Sequence, residues 1–172
     1  MSHKPIIQKV VLAAVIIKND KVLILQRHKD ENIFPNMWEL PSGKKEPLET
    51  SESCLLREVK EETGLDIKII MPFFVFDYQI EKPEEILDST QINFLVTPIG
   101  NNKKVKLSSE HQNFTWIREN EINQYEMSKE TKQVIKKAIE LIQKLKRKNL
   151  VKNYSGELFS VEYIRDRRNW QD

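Results

Sequence analysis

The chain has 172 residues, of which 39% are apolar, the size of one domain with enough oily side chains to fill its core. Lys and Arg number 28 against 26 Asp and Glu, and the formal charge of +2 excludes a strong overall field for nucleic acid or a membrane surface, so any anion binding has to be local. A single cysteine, Cys54, excludes an internal disulfide and suits a reducing compartment.

In chain order, the first apolar run is VVLAAVII, residues 10 to 17. It is too short to span a bilayer and no small-residue cleavage pattern follows it, so it reads as a buried strand of a cytoplasmic protein. Residues 9 to 17 and 22 to 27 are rich in Val, Ile and Leu, with Asn19 and Asp20 between them as turn formers, and together they predict a hairpin. HKDENIFPNMWELPSGKKEP, with three prolines and a glycine, reads as a long and mostly irregular connection. A loop of that length in a small domain is often functional.

From Thr50 to Thr63 the pattern turns helical. Thr50 or Ser51 caps the start, Glu52 lies in the first turn, and Gly64 supplies a left-handed end. Leu65, just past the glycine, is placed to fold back onto Val59. Two β-like runs follow, IKIIMPFFVFDYQI and STQINFLVTPI, joined by the acidic EKPEEILD, and NFTWI at 113 to 117 is a short strand. Residues 128 to 147 carry Val134, Ile135, Ala138, Ile139, Leu141, Ile142 and Leu145 at helical spacing. Its basic end, KLKRK, suits the negative pole of the helix dipole better than it suits nucleic acid. We divide the chain into a domain over residues 1 to 148 and a tail, 149 to 172, which has apolar side chains but no period.

The stretch REVKEETG, residues 57 to 64, is unusual. Advancing ~100° per residue from Glu58 puts Glu61 at ~300° and Glu62 at ~40°, so three carboxylates share one face. Leu55, Val59 and Leu56 fall at ~60°, ~100° and ~160°, which sets an apolar stripe beside the acidic one. Scattered glutamates on a helix usually mean no more than a solvated surface. Here like charges at spacings of three and four repel, with partial relief from Arg57 and Lys60, and such a cost is tolerated where a cation collects the charge. Hard divalent ions prefer oxygen ligands, and the sequence has no His and Cys cluster to favour zinc.

Gly43, Glu49, Arg57, Glu58, Val59, Glu61, Glu62, Gly64 and Leu65 reproduce the pattern GX5EX7REUXEEXGU, with U aliphatic, and the chain thereby resembles the Nudix hydrolases. Weaker resemblance extends over VLILQRH, WELPSGKKE and EHQNFTWI, about residues 8 to 145, and not to the tail. It implies an α/β fold, an α/β/α sandwich with a mixed β-sheet, and helix carboxylates that hold Mg²⁺ or Mn²⁺. Carried over residue by residue, Glu58, Glu61 and Glu62 are the metal ligands, with the Gly43 carbonyl, and Glu49 and Arg57 form an ion pair tying the loop to the helix. Glu61 or Glu62 takes the proton of the attacking water, with Glu110 as a rival. Relatives often have PGG where this chain has Pro41, Ser42 and Gly43, so the loop differs at Ser42.

Relatives carry an arginine near Arg27, which either touches a substrate phosphate or forms a surface salt bridge. Trp38, Phe34 and Trp116 either stack on a base or anchor the core. His28 and His111 read as polar surface residues and Cys54 as packing. The resemblance further implies cleavage of a diphosphate linkage in a nucleoside diphosphate derivative, with a nucleotide as the small-molecule partner, no stable nucleic acid, no membrane, and a homodimer left open. The position where ADP-ribose enzymes often have proline is Gln79, Tyr78 is off register for dinucleoside polyphosphate enzymes, and no SQPWE block occurs. These absences favour a MutT-like nucleoside triphosphate pyrophosphohydrolase giving NMP and pyrophosphate. ADP-ribose or dinucleoside polyphosphate hydrolysis, and a non-catalytic nucleotide-binding regulatory module, are the alternatives. All motif glutamates are present, which favours catalysis.

Overall fold

A computed structural model describes residues 4–100 and 104–147, and the separate tail at 149–172 lies outside the described residues. Strands β1 (Ile6–Lys18) and β2 (Lys21–Arg27) form the hairpin read from the sequence. Asn19 and Asp20 both take positive φ, 51° and 59°. Two consecutive left-handed residues make the tight turn whose twist matches the flanking strands, and Asn and Asp tolerate that conformation best after glycine.

The long connection that follows contains two very short strands, β3 (Trp38–Glu39) and β4 (Ser42–Lys44), before helix α1 (Ser51–Thr63). The Thr50 hydroxyl accepts from the Ser53 N–H, and Gly64 closes α1 at φ 68°. Strands β5 (Ile67–Glu81) and β6 (Ile86–Pro98) are antiparallel, β7 (His111–Ile117) pairs with β2, a 3₁₀ turn spans Glu119–Gln124, and α2 is Lys129–Arg147. EKPEEILD is shorter as a connection than its proline and charges suggest. The Lys82 N–H donates to Glu85 O and the Ile86 N–H to Pro5 O, so β6 begins three residues before Ser89. Pro72 is accommodated because β5 is the last strand in the order β3-β2-β1-β6-β5 and the register shifts between Pro72 and Phe74.

The sheet is mixed. β1 runs parallel to β6 and antiparallel to β2 and β4. Alternation along the strands divides the core in two. Leu12, Ala14, Ile16, Leu23, Leu25, Phe94 and Val96 pack on Cys54, Leu55 and Val59 of α1. Val15, Ile17, Val22, Ile24 and Leu95 face the other way, onto Val134, Ile135, Ala138 and Ile142 of α2. This is an α/β/α sandwich, with α1 and α2 on opposite faces of one sheet. Leu65 shares the α1-side core with Val59, as expected of a residue folding back past the helix end. Leu56 departs from expectation: it is exposed, and Cys54 and Thr63 fill the helix's inner face instead. Each fully buried Leu or Ile contributes about 1.5–3 kcal/mol relative to exposure, which fixes the rotation of α1 about its axis. That rotation places its carboxylates.

Candidate functional site

Arg57 is the hub of the N-terminal side of the site. Its Nε donates to Glu49 Oε1 at 2.9 Å and its Nη2 to Glu49 Oε2 at 3.0 Å, so the expected pair is present and bidentate. Nη1 turns the other way, to Glu58 Oε1 at 2.8 Å and Glu61 Oε2 at 3.3 Å. Arg57 holds the Glu49 carboxyl down at about 2, well below its usual value, with help from the Glu46 N–H.

The three helix carboxylates, one face on the wheel, occupy three environments. Glu61 is 59% exposed and Glu58 15%. Glu62 is buried, with Oε2 accepting from the Ser42 N–H at 2.9 Å. Ser42, the departure from the usual glycine, thus uses its backbone at the site. Burial raises the carboxyl pKa of Glu58, opposed by Arg57 and reinforced by the charges of Glu61 and Glu110. Burial also pushes Glu62 well up, followed by the charge of Glu39 and then those of Glu58 and Glu110. Glu110, two strands later in the chain and just before β7, therefore acts on the same centre.

Gly43 closes that centre from above. A β-carbon added there would sit on the Glu58 carboxyl group and push it aside, so glycine lets the strand pass this near the acid with the carboxylate in place. The donor set fits a hard divalent cation: oxygen ligands, carboxylates held partly out of water, and mutual repulsion that a cation relieves. Among the described residues no three acidic or imidazole side chains converge into a ready cage. Arg57 takes up one oxygen each of Glu58 and Glu61.

Beside this centre lies a cleft of about 490 Å³ lined by Arg27, Phe34, Trp38, Glu39, Gly43 and Tyr78 among others. The α1 carboxylates do not line it; they lie behind β4. Arg27 donates from each of its three nitrogens, Nε to Ile33 O at 2.7 Å, Nη1 to Glu39 Oε1 at 2.9 Å and Nη2 to Glu31 Oε2 at 2.9 Å. The salt bridge read from the sequence is present, and the residue also lines the cleft. Trp38 lines the cleft and also meets Tyr125 edge-on, ring centroids 5.0 Å apart. Phe34 is exposed at its mouth with φ 52°. Trp116 packs on the α1-side core and lies outside the cleft.

His111, read from the sequence as a surface residue, is buried. Its Nε2 meets Glu39 Oε1 at 3.0 Å and its Nδ1 has no partner among the described residues. It pairs across β2 with Arg27, so the sheet register buries it beneath the loop that Arg27 holds. His28 is exposed, near Asp30. Cys54 is buried, and burial together with Glu49 and Glu58 pushes its thiol up to about 11, which leaves it unreactive. Glu39 was not singled out from the sequence. The available signal was a lone carboxylate between Trp38 and Leu40 in WELPSG, where a solvated loop would not alternate that way.

The NUDIX domain family matches residues 8–138 of the chain. A nucleoside triphosphatase NudI from Escherichia coli O1:K1 / APEC is 26% identical over 137 residues, covering 75% of this chain and 95% of that protein. The crystal structure of a MutT NUDIX hydrolase from Burkholderia pseudomallei superimposes with a TM-score of 0.62 at 19% identity, covering 75% of this chain and 96% of the other. The dihydroneopterin triphosphate pyrophosphohydrolase of E. coli gives 0.63 at 23% identity, covering 77% and 95%.

Proposed function

The chain belongs to the NUDIX domain family and with it to the hydrolases of phosphoric anhydrides, and we propose that it is a nucleoside triphosphate pyrophosphohydrolase, releasing a nucleoside monophosphate and pyrophosphate. The observation that carries this reading is the pair Glu58 and Glu62, held largely out of water beneath Gly43 with their carboxyl pKa values raised. Similarity to the nucleoside triphosphatase NudI supports the substrate class.

Glu58, Glu61, Glu62 and the Gly43 carbonyl are the groups that hold Mg²⁺ or Mn²⁺ in this reading. When bound, the cation offsets charge on the phosphate oxygens and on the leaving group. Arg57 and Glu49 orient these ligands, since one guanidinium links the loop glutamate to both Glu58 and Glu61. Attack by water on phosphorus requires a carboxylate to take its proton. Glu62 is poorly suited, being buried and held by the Ser42 N–H, and Glu61 shares an oxygen with Arg57. Glu110 is exposed yet near enough for its charge to act on both Glu58 and Glu62, and we assign it the base. Trp38 and Phe34 at the cleft offer faces for the base of the nucleotide, while Arg27 shapes the loop through Glu31 and Glu39.

The test is a panel of nucleoside triphosphates, ADP-ribose and dinucleoside polyphosphates with Mg²⁺ and with Mn²⁺, scored for products. Monophosphate and pyrophosphate from at least one triphosphate, at higher kcat/KM than any other class, is expected. A preference for ADP-ribose over every triphosphate overturns the substrate assignment.

A further inference from the structure

The cleft exists because the sheet outruns the helix layer above it. β1, β5 and β6 extend past the start of α2, where Ser128 just before the helix and Glu130 and Thr131 in its first turn form one wall of the cleft. On the face that α2 covers, the strand register aligns side chains in rungs: Val11, Gln91 and Phe76, then Lys9, Ser89 and Tyr78. The same alternation puts Val15 and Leu95 of these strands under α2, so Lys9 lies on the sandwich's inner face beyond the helix end.

Lys9 lines the cleft and is half-buried, and its side chain makes no hydrogen bond or ion pair to any described residue. Glu39 and Glu130 also line the cleft but neither pairs with Lys9, and a cation drawn partly from water without a paired partner is costly unless an anion visits it. Its rung neighbours suit the same ligand. Ser89 is buried and Tyr78 is partly so, with burial raising the phenol's pKa, the Ser89 contact opposing this and the charge of Glu39 adding to it. The phenol therefore stays a neutral donor rather than a competing charge. Three residues of β1, about 10 Å, separate Lys9 from the rung that joins Leu12 to Gly43. A triphosphate anchored beside Gly43, together with a lysine side chain, spans that distance.

We propose that Lys9, with Tyr78 beside it, forms a subsite for the terminal phosphates of the substrate, which leave as pyrophosphate. The inference rests on the triphosphate reading above and deepens it: a second anionic contact beyond the metal centre is useful to a triphosphate and superfluous for ADP-ribose, whose far end is an uncharged sugar.

The test compares wild type with Lys9→Met, Lys9→Arg and Lys68→Met, the last removing an exposed lysine outside the cleft. Two quantities are read: KM and kcat on a triphosphate, and binding of Mg²⁺-pyrophosphate by calorimetry without turnover. Lys9→Met is expected to raise KM and weaken pyrophosphate about tenfold, the size of one charge-assisted contact, with kcat changed far less. Lys9→Arg is expected to restore both, and Lys68→Met to match wild type. If Lys9→Met binds pyrophosphate as tightly as wild type, or if Lys68→Met weakens it equally, the subsite is overturned. Should wild type hydrolyse no triphosphate, the function proposed above fails, and the pyrophosphate titration still decides the subsite: tenfold weakening in Lys9→Met supports it, and absence of binding to wild type ends it.

Discussion

The Ser42 N–H donates to Glu62 Oε2 at 2.9 Å, so a buried acid on α1 is hydrogen-bonded to the backbone of the loop that passes over it. The bond is too little to offset burial and the charges of Glu39, Glu58 and Glu110, and the carboxyl pKa stays well raised. An acid raised on folding lowers stability as pH climbs from its unfolded value toward its folded one, because the folded state holds the proton longer. Glu62→Gln is therefore expected to stabilise the metal-free protein at neutral pH by about 1 kcal/mol and to lose the advantage below the ordinary carboxyl range. Thermal melts in chelator across pH check this, and the same variant should lose most turnover. Equal stability of the two proteins at pH 7 would contradict the strain assigned to Glu62.

Glu49 runs the opposite way. Its folded pKa of about 2 lies below the ordinary value of 4.5 for a free glutamate, so the Arg57 pair adds stability above the unfolded value. That contribution is lost as pH falls from about 4.5 to about 2. Urea unfolding of wild type and Glu49→Gln is expected to diverge at neutral pH and converge in acid; a gap that persists at the acid end would assign the effect to packing.

Removing the proposed base separates chemistry from cation binding. Glu110→Gln is expected to lower kcat about 10²-fold or more, with Mn²⁺ affinity within a fewfold of wild type by calorimetry. Glu58→Gln should weaken Mn²⁺ instead. Loss of Mn²⁺ binding in Glu110→Gln would make Glu110 a ligand.

Gly43→Ala places a β-carbon on the Glu58 carboxyl group. The acid, the far end of a flexible side chain, must swing aside, which costs the fold little but moves the carboxylate, and both Mn²⁺ affinity and turnover are expected to fall together. A variant with wild-type Mn²⁺ binding would show that Glu58 has room the geometry denies it.

What the sequence determined by itself was local. The Thr50 cap, the left-handed Gly64, the Asn19–Asp20 turn and the spacing of Glu58, Glu61 and Glu62 follow from backbone preferences and helix period within a few residues. The family pattern then reached the loop pair Glu49 and Arg57. Tertiary structure decided the rest, because it joins residues far apart in the chain. Parallel pairing of β1 with β6 sets Lys9 beside Ser89 and Tyr78, β7 on β2 buries His111 against Glu39, and helix rotation leaves Leu56 outside and Glu62 inside. A period can say which residues share a face; only packing says how much water each of them keeps, and that is what separates Glu61 from Glu62.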